Sequence, residues 1–232
     1  VAQVIQHSSN VGAARIGLGL PSETLWNTFN DVGFGQLPKL GFPSESPGKV
    51  RPWKTWKPIE QANMCFGNGM SVSLIQLARA YTVFANQGEL LPLSLTRVNG
   101  PSQGRRVFSR KTAEDVVAML EMVVKPGGTA TAAQVPGYRV AGKTGTAHKV
   151  EHGKYVNKYV ASFVGFAPAS RPRIEIAVMI DEPAGQYYGG EVAAPVFSQI
   201  MGNVLPLLAV PADDPSAVRP ALKMASGAGD GT

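Results

Sequence analysis

Between Tyr138 and Asp181 the chain reads as three consecutive strands with short links, and no other feature narrows the possible folds as far. "YRVAGKTGTA" and "YVASFVGFAP" are apolar runs rich in aromatic and β-branched residues, joined by a polar loop centred on "EHGK". "PRIEIAVMID" follows after "ASRP" and alternates at Ile174, Ile176, Val178 and Ile180. Parallel neighbours need a crossover of about a dozen residues or more, so links this short dictate antiparallel hairpins.

Helical patterns surround this sheet. Residues 1–33 read as helical with a break at Ser8–Asn10; Ser22 is the expected N-cap of "PSETLWNTFNDVG" and Gly33 its stop. Residues 34–58 carry Pro38, Pro43, Pro47, Pro52 and Pro58, too many for any regular element. "SVSLIQLARAYTVFANQG" puts Leu74, Leu77, Ala78, Tyr81 and Ala85 on one helical face, with Ser71 as the expected cap and Gly88 as the end. A further helix starts at Ser109 and closes at "KPGGTA"; a last one, from about Val192 to Leu208, covers the sheet. The order is that of an α+β fold. Three strands under one covering helix make a thin sheet, and "VAQVIQHSSN" begins as the middle of a helix begins, so further strands are expected from sequence preceding Val1. Residues 1–210 are read as part of one domain. Residues 211–232, small, polar and proline-rich, are read as a disordered tail.

The net charge of +6 invites a nucleic-acid reading. The only basic stretch with interleaved aromatics is "KVRPWKTWKP", where Lys49, Arg51, Lys54 and Lys57 alternate with Trp53 and Trp56. Its prolines favour a surface loop anchored by its tryptophans, and no nucleic-acid partner is expected. Cys65 is the single cysteine, so an intrachain disulfide is excluded, and "MCFGNGM" reads as a packing position. His7, His148 and His152 show no metal-binding spacing; neither metal nor cofactor is expected. No run approaches the ~18 apolar residues of a membrane helix.

Two short elements can carry chemistry. Ser8-Ser9-Asn10 places two hydroxyls and an amide at a helix break; taken singly it reads as a cap. Lys143-Thr144-Gly145-Thr146 lies on the first strand. Alternation there puts Lys143 and Gly145 on one face and Thr144 and Thr146 on the other. Glycine inside a strand marks a close approach of backbone or ligand, and an edge strand offers main-chain groups to a peptide. Taken singly, this reads as an exposed edge strand with a charged residue.

Together, S-x-N followed by K-T-G on a strand resembles the penicillin-recognising serine acyl-transferases. "SSNVGAARIGLGL", "FGNGMSVSLIQLARAYTVFANQG", "GKTGTAHK", "VASFVGFAPASRPR" and "VMIDEPAGQYYGGEVAAPVF" extend the resemblance to about Val210. Over that span the chain is similar to the class B penicillin-binding proteins, in the division-specific branch of Gram-negative bacteria. The resemblance implies the penicillin-binding protein/β-lactamase-like transpeptidase fold, with two further strands and a helix contributed from upstream of S-x-N. It implies a serine nucleophile in S-x-x-K on an upstream helix. Ser46-Pro47-Gly48-Lys49 is the only S-x-x-K present, and it fails: Pro47 and Gly48 do not hold a helical turn, and it follows S-x-N. The chain alone is therefore expected to fold poorly and to be inactive without the upstream segment.

The resemblance further implies peptidoglycan D,D-transpeptidase activity on D-Ala-D-Ala stem peptides in septal wall synthesis, through an acyl-enzyme that β-lactams mimic. Ser8 would relay a proton to the leaving amine and Asn10 would hold the acyl-side amide. Lys143 would supply positive potential and fix the Ser8 hydrogen-bond network, and the Thr144 and Thr146 hydroxyls would bind the substrate carboxylate. Gly145 between them would also contact the substrate, and the Thr146 N–H would form half of an oxyanion hole. Tyr187, Tyr188 and Gly189 would form a wall near the site; the role of His148 is open. Implied partners are division proteins including a glycosyltransferase, at the periplasmic face of the inner membrane. A class A β-lactamase needs an E-x-x-L-N element, and "EQAN" at Glu60 does not supply one. A D,D-carboxypeptidase and a non-catalytic division scaffold are the remaining alternatives.

Overall fold

The computed structural model of the chain describes residues 1–100 and 102–214. Helices α1 (Ala2–Gln6), α2 (Asn10–Leu18) and α3 (Ser22–Asp31) fill the segment read as helical. The break falls where expected, and Ser9 is the residue that caps: its Oγ accepts from the Gly12 N–H at 3.1 Å. Ser22 does not cap. It is the first helical residue of α3, and its hydroxyl donates to Gln61 Oε1 at 2.6 Å.

The proline-rich run is irregular as far as a 3₁₀ turn at Trp53–Thr55, but Pro58 opens a helix, α4 (Pro58–Met64). Proline is at home on the first helical turn, where its missing N–H would have no partner in any case. Two buried glutamines organise the surroundings by satisfying backbone carbonyls that no secondary structure reaches. Gln61 Nε2 donates to Gly17 O and Leu20 O, tying α4 to the end of α2. Gln76 Nε2 reaches Gly33 O, Gln36 O and Pro47 O. Trp56 Nε1 donates to Arg51 O at 3.0 Å, an anchoring role for that tryptophan.

Helix α5 (Leu74–Ala85) is capped by Ser73, not Ser71. Ser73 has glutamine three residues on and forms a reciprocal capping box with Gln76, which Ser71-x-x-Leu74 cannot. Ser71 instead pairs its backbone with Lys49. Two short strands absent from the sequence reading, β1 (Glu89–Leu90) and β2 (Arg105–Arg106), pair antiparallel before α6 (Arg110–Val124).

The main sheet comprises β3 (Ala141–Glu151), β4 (Lys154–Ala167) and β5 (Ile174–Asp181), antiparallel in the order β3-β4-β5. The expected polar loop is a tight turn. His152 (φ 51°) and Gly153 (φ 77°) both adopt positive φ, which matches the twist of the flanking strands and extends the ladder to Glu151↔Lys154. A bulge between His148 and Val150 re-aims the outer end of β3. A short helix α7 (Gly189–Val192) leads into α8 (Ala194–Leu207), which covers the sheet as the sequence predicts. Phe163 and Phe197 meet edge to face at 4.7 Å, with Met201 and Leu205 fully buried beside them. Each such side chain contributes about 1.5–3 kcal/mol by burial.

Residues 211–214, at the head of the segment read as a tail, are bonded to the segment before β3 and to the loop after β4. Asp213 Oδ1 accepts from the Arg139 N–H at 2.7 Å and Oδ2 from the Ser170 hydroxyl at 2.6 Å. Residues 215–232 of that tail lie outside the described residues.

Candidate active site

The two chemistry-bearing elements meet. Helix α1 packs on α6, and Ile5 reaches both buried clusters, which carries the turn after α1 to the edge of β3. There Ser8 adopts φ 53°, a left-handed conformation that costs an L-residue about 1–2 kcal/mol. With Ser9 engaged as the cap, Ser8 is turned outward, and Lys143 Nζ donates to its Oγ at 2.8 Å. Asn10 opens α2 with its side chain on the same cleft.

Lys143 Nζ makes three contacts, in keeping with an ammonium that donates three hydrogen bonds and accepts none. It contacts Ser8 Oγ, Thr144 O at 3.3 Å and Thr144 Oγ1 at 3.2 Å, all neutral oxygens. Its charge is thus left to act on the cleft. Burial alone pushes its pKa down to about 8. The contact with Thr144 corrects the strict two-face expectation. β3 is an edge strand, so no neighbour blocks its rim, and the four-carbon stem of Lys143 curls round to the threonine.

The cleft holds ≈ 920 Å³, within the range of small-molecule and peptide sites. Thr144, Gly145 and Thr146 form one wall. Thr146 Oγ1 accepts from the Gly189 N–H at 3.0 Å, which leaves its own proton to donate elsewhere. A Cβ on Gly189 would lie 2.3 Å from Ser162 O and 2.5 Å from Gly145 O, so the first glycine of YYGG allows a close backbone approach. Tyr188 lines the cleft, whereas Tyr187 stands behind it, stacked on Tyr159 at 4.0 Å. His148 joins that row, 4.4 Å from the Tyr159 ring, with Nδ1 3.3 Å from Val156 O.

Ser46 remains on the exposed proline-rich loop, its Oγ accepting from the Gly48 N–H, and does not line the cleft. Cys65 packs where Gly17 has no side chain: a Cβ there would fall 1.9 Å from Sγ. Burial raises the Cys65 pKa, the opposite of what a nucleophile needs. The sequence reading missed Thr129, Asn63, Phe66, Asn68 and Tyr155, which also line the cleft. Only Thr129 had a local signal, the Gly-Gly pair before it that lets a backbone pass closely.

The depressed lysine pKa has a measurable consequence in the full-length gene product. Acylation by a carboxylate-bearing penicillin should fall as pH rises through about 8, where Lys143 loses its charge, while the penicillin methyl ester should show no fall in that range. A parallel decline for both compounds would remove Lys143 as the source. Stability moves the other way. An unfolded lysine stays protonated to ~10.4, so between about 8 and that value unfolding takes up a proton and the burial penalty of Lys143 is relieved as pH rises.

The family of the penicillin binding protein transpeptidase domain matches residues 1–202. The chain is 46% identical over 212 residues to a probable peptidoglycan D,D-transpeptidase PenA of Neisseria gonorrhoeae, covering 90% of this chain and 36% of that protein. It is 46% identical over 204 residues to the peptidoglycan D,D-transpeptidase FtsI of Escherichia coli K12, covering 87% and 35%. The apo transpeptidase domain of Burkholderia pseudomallei penicillin-binding protein 3 superposes with a TM-score of 0.88 at 52% identity, covering 91% of this chain and 65% of that one. The chain thus spans little more than a third of the length of the curated relatives it matches. With the S-x-N turn and the K-T-G strand joined through one lysine across an open cleft, the chain belongs to the penicillin-binding protein transpeptidase family, in its class B branch.

Proposed function

We propose that the protein containing this chain is a peptidoglycan D,D-transpeptidase of septal wall synthesis. The observation that carries the reading is the 2.8 Å bond from Lys143 to Ser8, which joins elements 135 residues apart at the cleft. A serine in an upstream S-x-x-K attacks the D-Ala-D-Ala amide carbonyl. The C–N bond breaks, D-alanine leaves with the proton relayed through Ser8, and an amine of a neighbouring stem peptide displaces the serine to form the cross-link. Asn10 holds the acyl-side amide. The Thr146 N–H supplies one oxyanion donor, and Lys143 with the Thr144 and Thr146 hydroxyls takes the terminal carboxylate. Tyr188, backed by Tyr187 and Gly189, walls the site. β-Lactams acylate the same serine.

One feature supports an upstream segment completing the domain. The outer edge of β5 has no paired strand among the described residues, and Met179 on it is 52% exposed. An open apolar edge of this kind calls for a partner strand. Among the described residues no helix is long and apolar enough to cross a membrane, so anchoring at the inner membrane, on its periplasmic face, would come from elsewhere in the protein. A glycosyltransferase and other division proteins are the partners this activity requires.

Labelled penicillin and a D-Ala-D-Ala stem peptide with an added amine acceptor test the reading on the full-length gene product. Covalent labelling, D-alanine release and a cross-linked product are expected. Release with hydrolysis alone would make it a D,D-carboxypeptidase; rapid turnover of the penicillin, a β-lactamase; and absence of labelling, a scaffold.

A further inference from the structure

Thr129 stands at the cleft with its hydroxyl 3.0 Å from that of Thr144, a contact between the loop after α6 and the K-T-G strand. The loop is held on both sides. Ala130 N–H donates to Val123 O at 2.9 Å, closing it on α6. A Cβ on Gly128 would lie 2.1 Å from Val123 O, and one on Gly190 would lie 2.1 Å from Thr129 O. With backbone packed this closely, Thr129 has a fixed place beside Thr144.

A threonine oxygen carries one proton and two lone pairs. Lys143 Nζ, which only donates, occupies one lone pair of Thr144 Oγ1. If Thr144 donated to Thr129, it would turn its second lone pair to the cleft and repel an anion. If Thr129 donates, both lone pairs of Thr144 are filled and its proton is the only group left to offer. A carboxylate accepts and never donates, so binding one selects the second arrangement. We propose that Thr129 is a positioning residue that makes Thr144 a hydrogen-bond donor to the substrate carboxylate. The inference rests on the proposed role of Thr144 in carboxylate binding and extends it to a residue on a different element. It parallels Thr146, whose lone pair is taken by the Gly189 N–H.

The test uses the full-length gene product and second-order acylation by a penicillin and by its methyl ester. Thr129→Val keeps the shape and removes the hydroxyl. It should slow acylation by the free carboxylate about tenfold, leave the ester unchanged, and be restored by Thr129→Ser. Equal losses with both compounds, or no rescue by serine, would mean a structural role and overturn the proposal. Thr144→Val separates the two levels. If it erases the preference for the carboxylate while Thr129→Val does not, the positioning role alone fails. If Thr144→Val also leaves that preference intact, the carboxylate reading of the site fails with it.

Discussion

Replacing Lys143 with alanine in the full-length gene product should slow acylation by labelled penicillin by about 10²–10³-fold, the usual cost of removing one preorganised electrostatic contact. Three bonds end on its ammonium, to Ser8 Oγ, Thr144 O and Thr144 Oγ1. The alanine variant therefore loses the cleft's positive charge and frees the Ser8 hydroxyl from its donor. Ser8 already sits at φ 53°, and its orientation then depends on the turn alone. Lys143→Arg should recover only part of the rate, because a planar fork cannot reproduce three contacts arranged round a point charge. Acylation of Lys143→Ala at the parent rate would show that the bond to Ser8 has no part in the chemistry. Thermal stability should change little, since the burial penalty of the ammonium is relieved as its three bonds to neutral oxygens are lost.

Gly189→Ala is expected to act through the fold. Its new methyl would meet Ser162 O at 2.3 Å and Gly145 O at 2.5 Å, and both are main-chain atoms of paired strands that cannot turn aside. Relief requires α7 to lift from β3 and β4, which costs about 1–3 kcal/mol or more. For a domain of this size each kcal/mol lowers Tm by ~2–4 °C. The same displacement withdraws the Gly189 N–H from Thr146 Oγ1, so acylation should fall as well. A variant melting with the parent would mean that the contact is relieved without moving α7. Gly153→Ala serves as a comparison, because nothing lies within 4 Å of a Cβ there and only its φ of 77° resists.

The buried face of the protein also holds a group that the chemistry does not use. Both carboxylate oxygens of Glu175 are buried without a hydrogen-bond partner among the described residues, and burial pushes its pKa up to about 9. It is therefore neutral at pH 7; burial raises the Tyr81 pKa, and Glu175, once ionised at higher pH, raises it further. In the sequence it reads as the polar residue of an alternating strand, because alternation reports faces and not what covers them.

Much of the architecture was open to local reasoning. Strand alternation at Ile174, Ile176, Val178 and Ile180, helical spacing in α5, and glycine stops at Gly33 and Gly88, both with positive φ, depend on neighbours within a few residues. The errors were also local and have local causes. Ser71 reads as a cap by residue type, but the glutamine three residues on belongs to Ser73, and Pro58 reads as a breaker although proline at the first helical position starts α4. The two tripeptides together with the flanking blocks carried the resemblance to the family, and that resemblance named Ser8, Asn10 and Lys143. Tertiary structure alone decided that Ser9 caps while Ser8 faces the cleft, and that Thr129 meets Thr144; it gave the link from Lys143 to Ser8, which the resemblance implied, its 2.8 Å geometry. These contacts arise where separate elements pack, and their distances follow from buried side chains and glycine clearances that no spacing along the chain encodes.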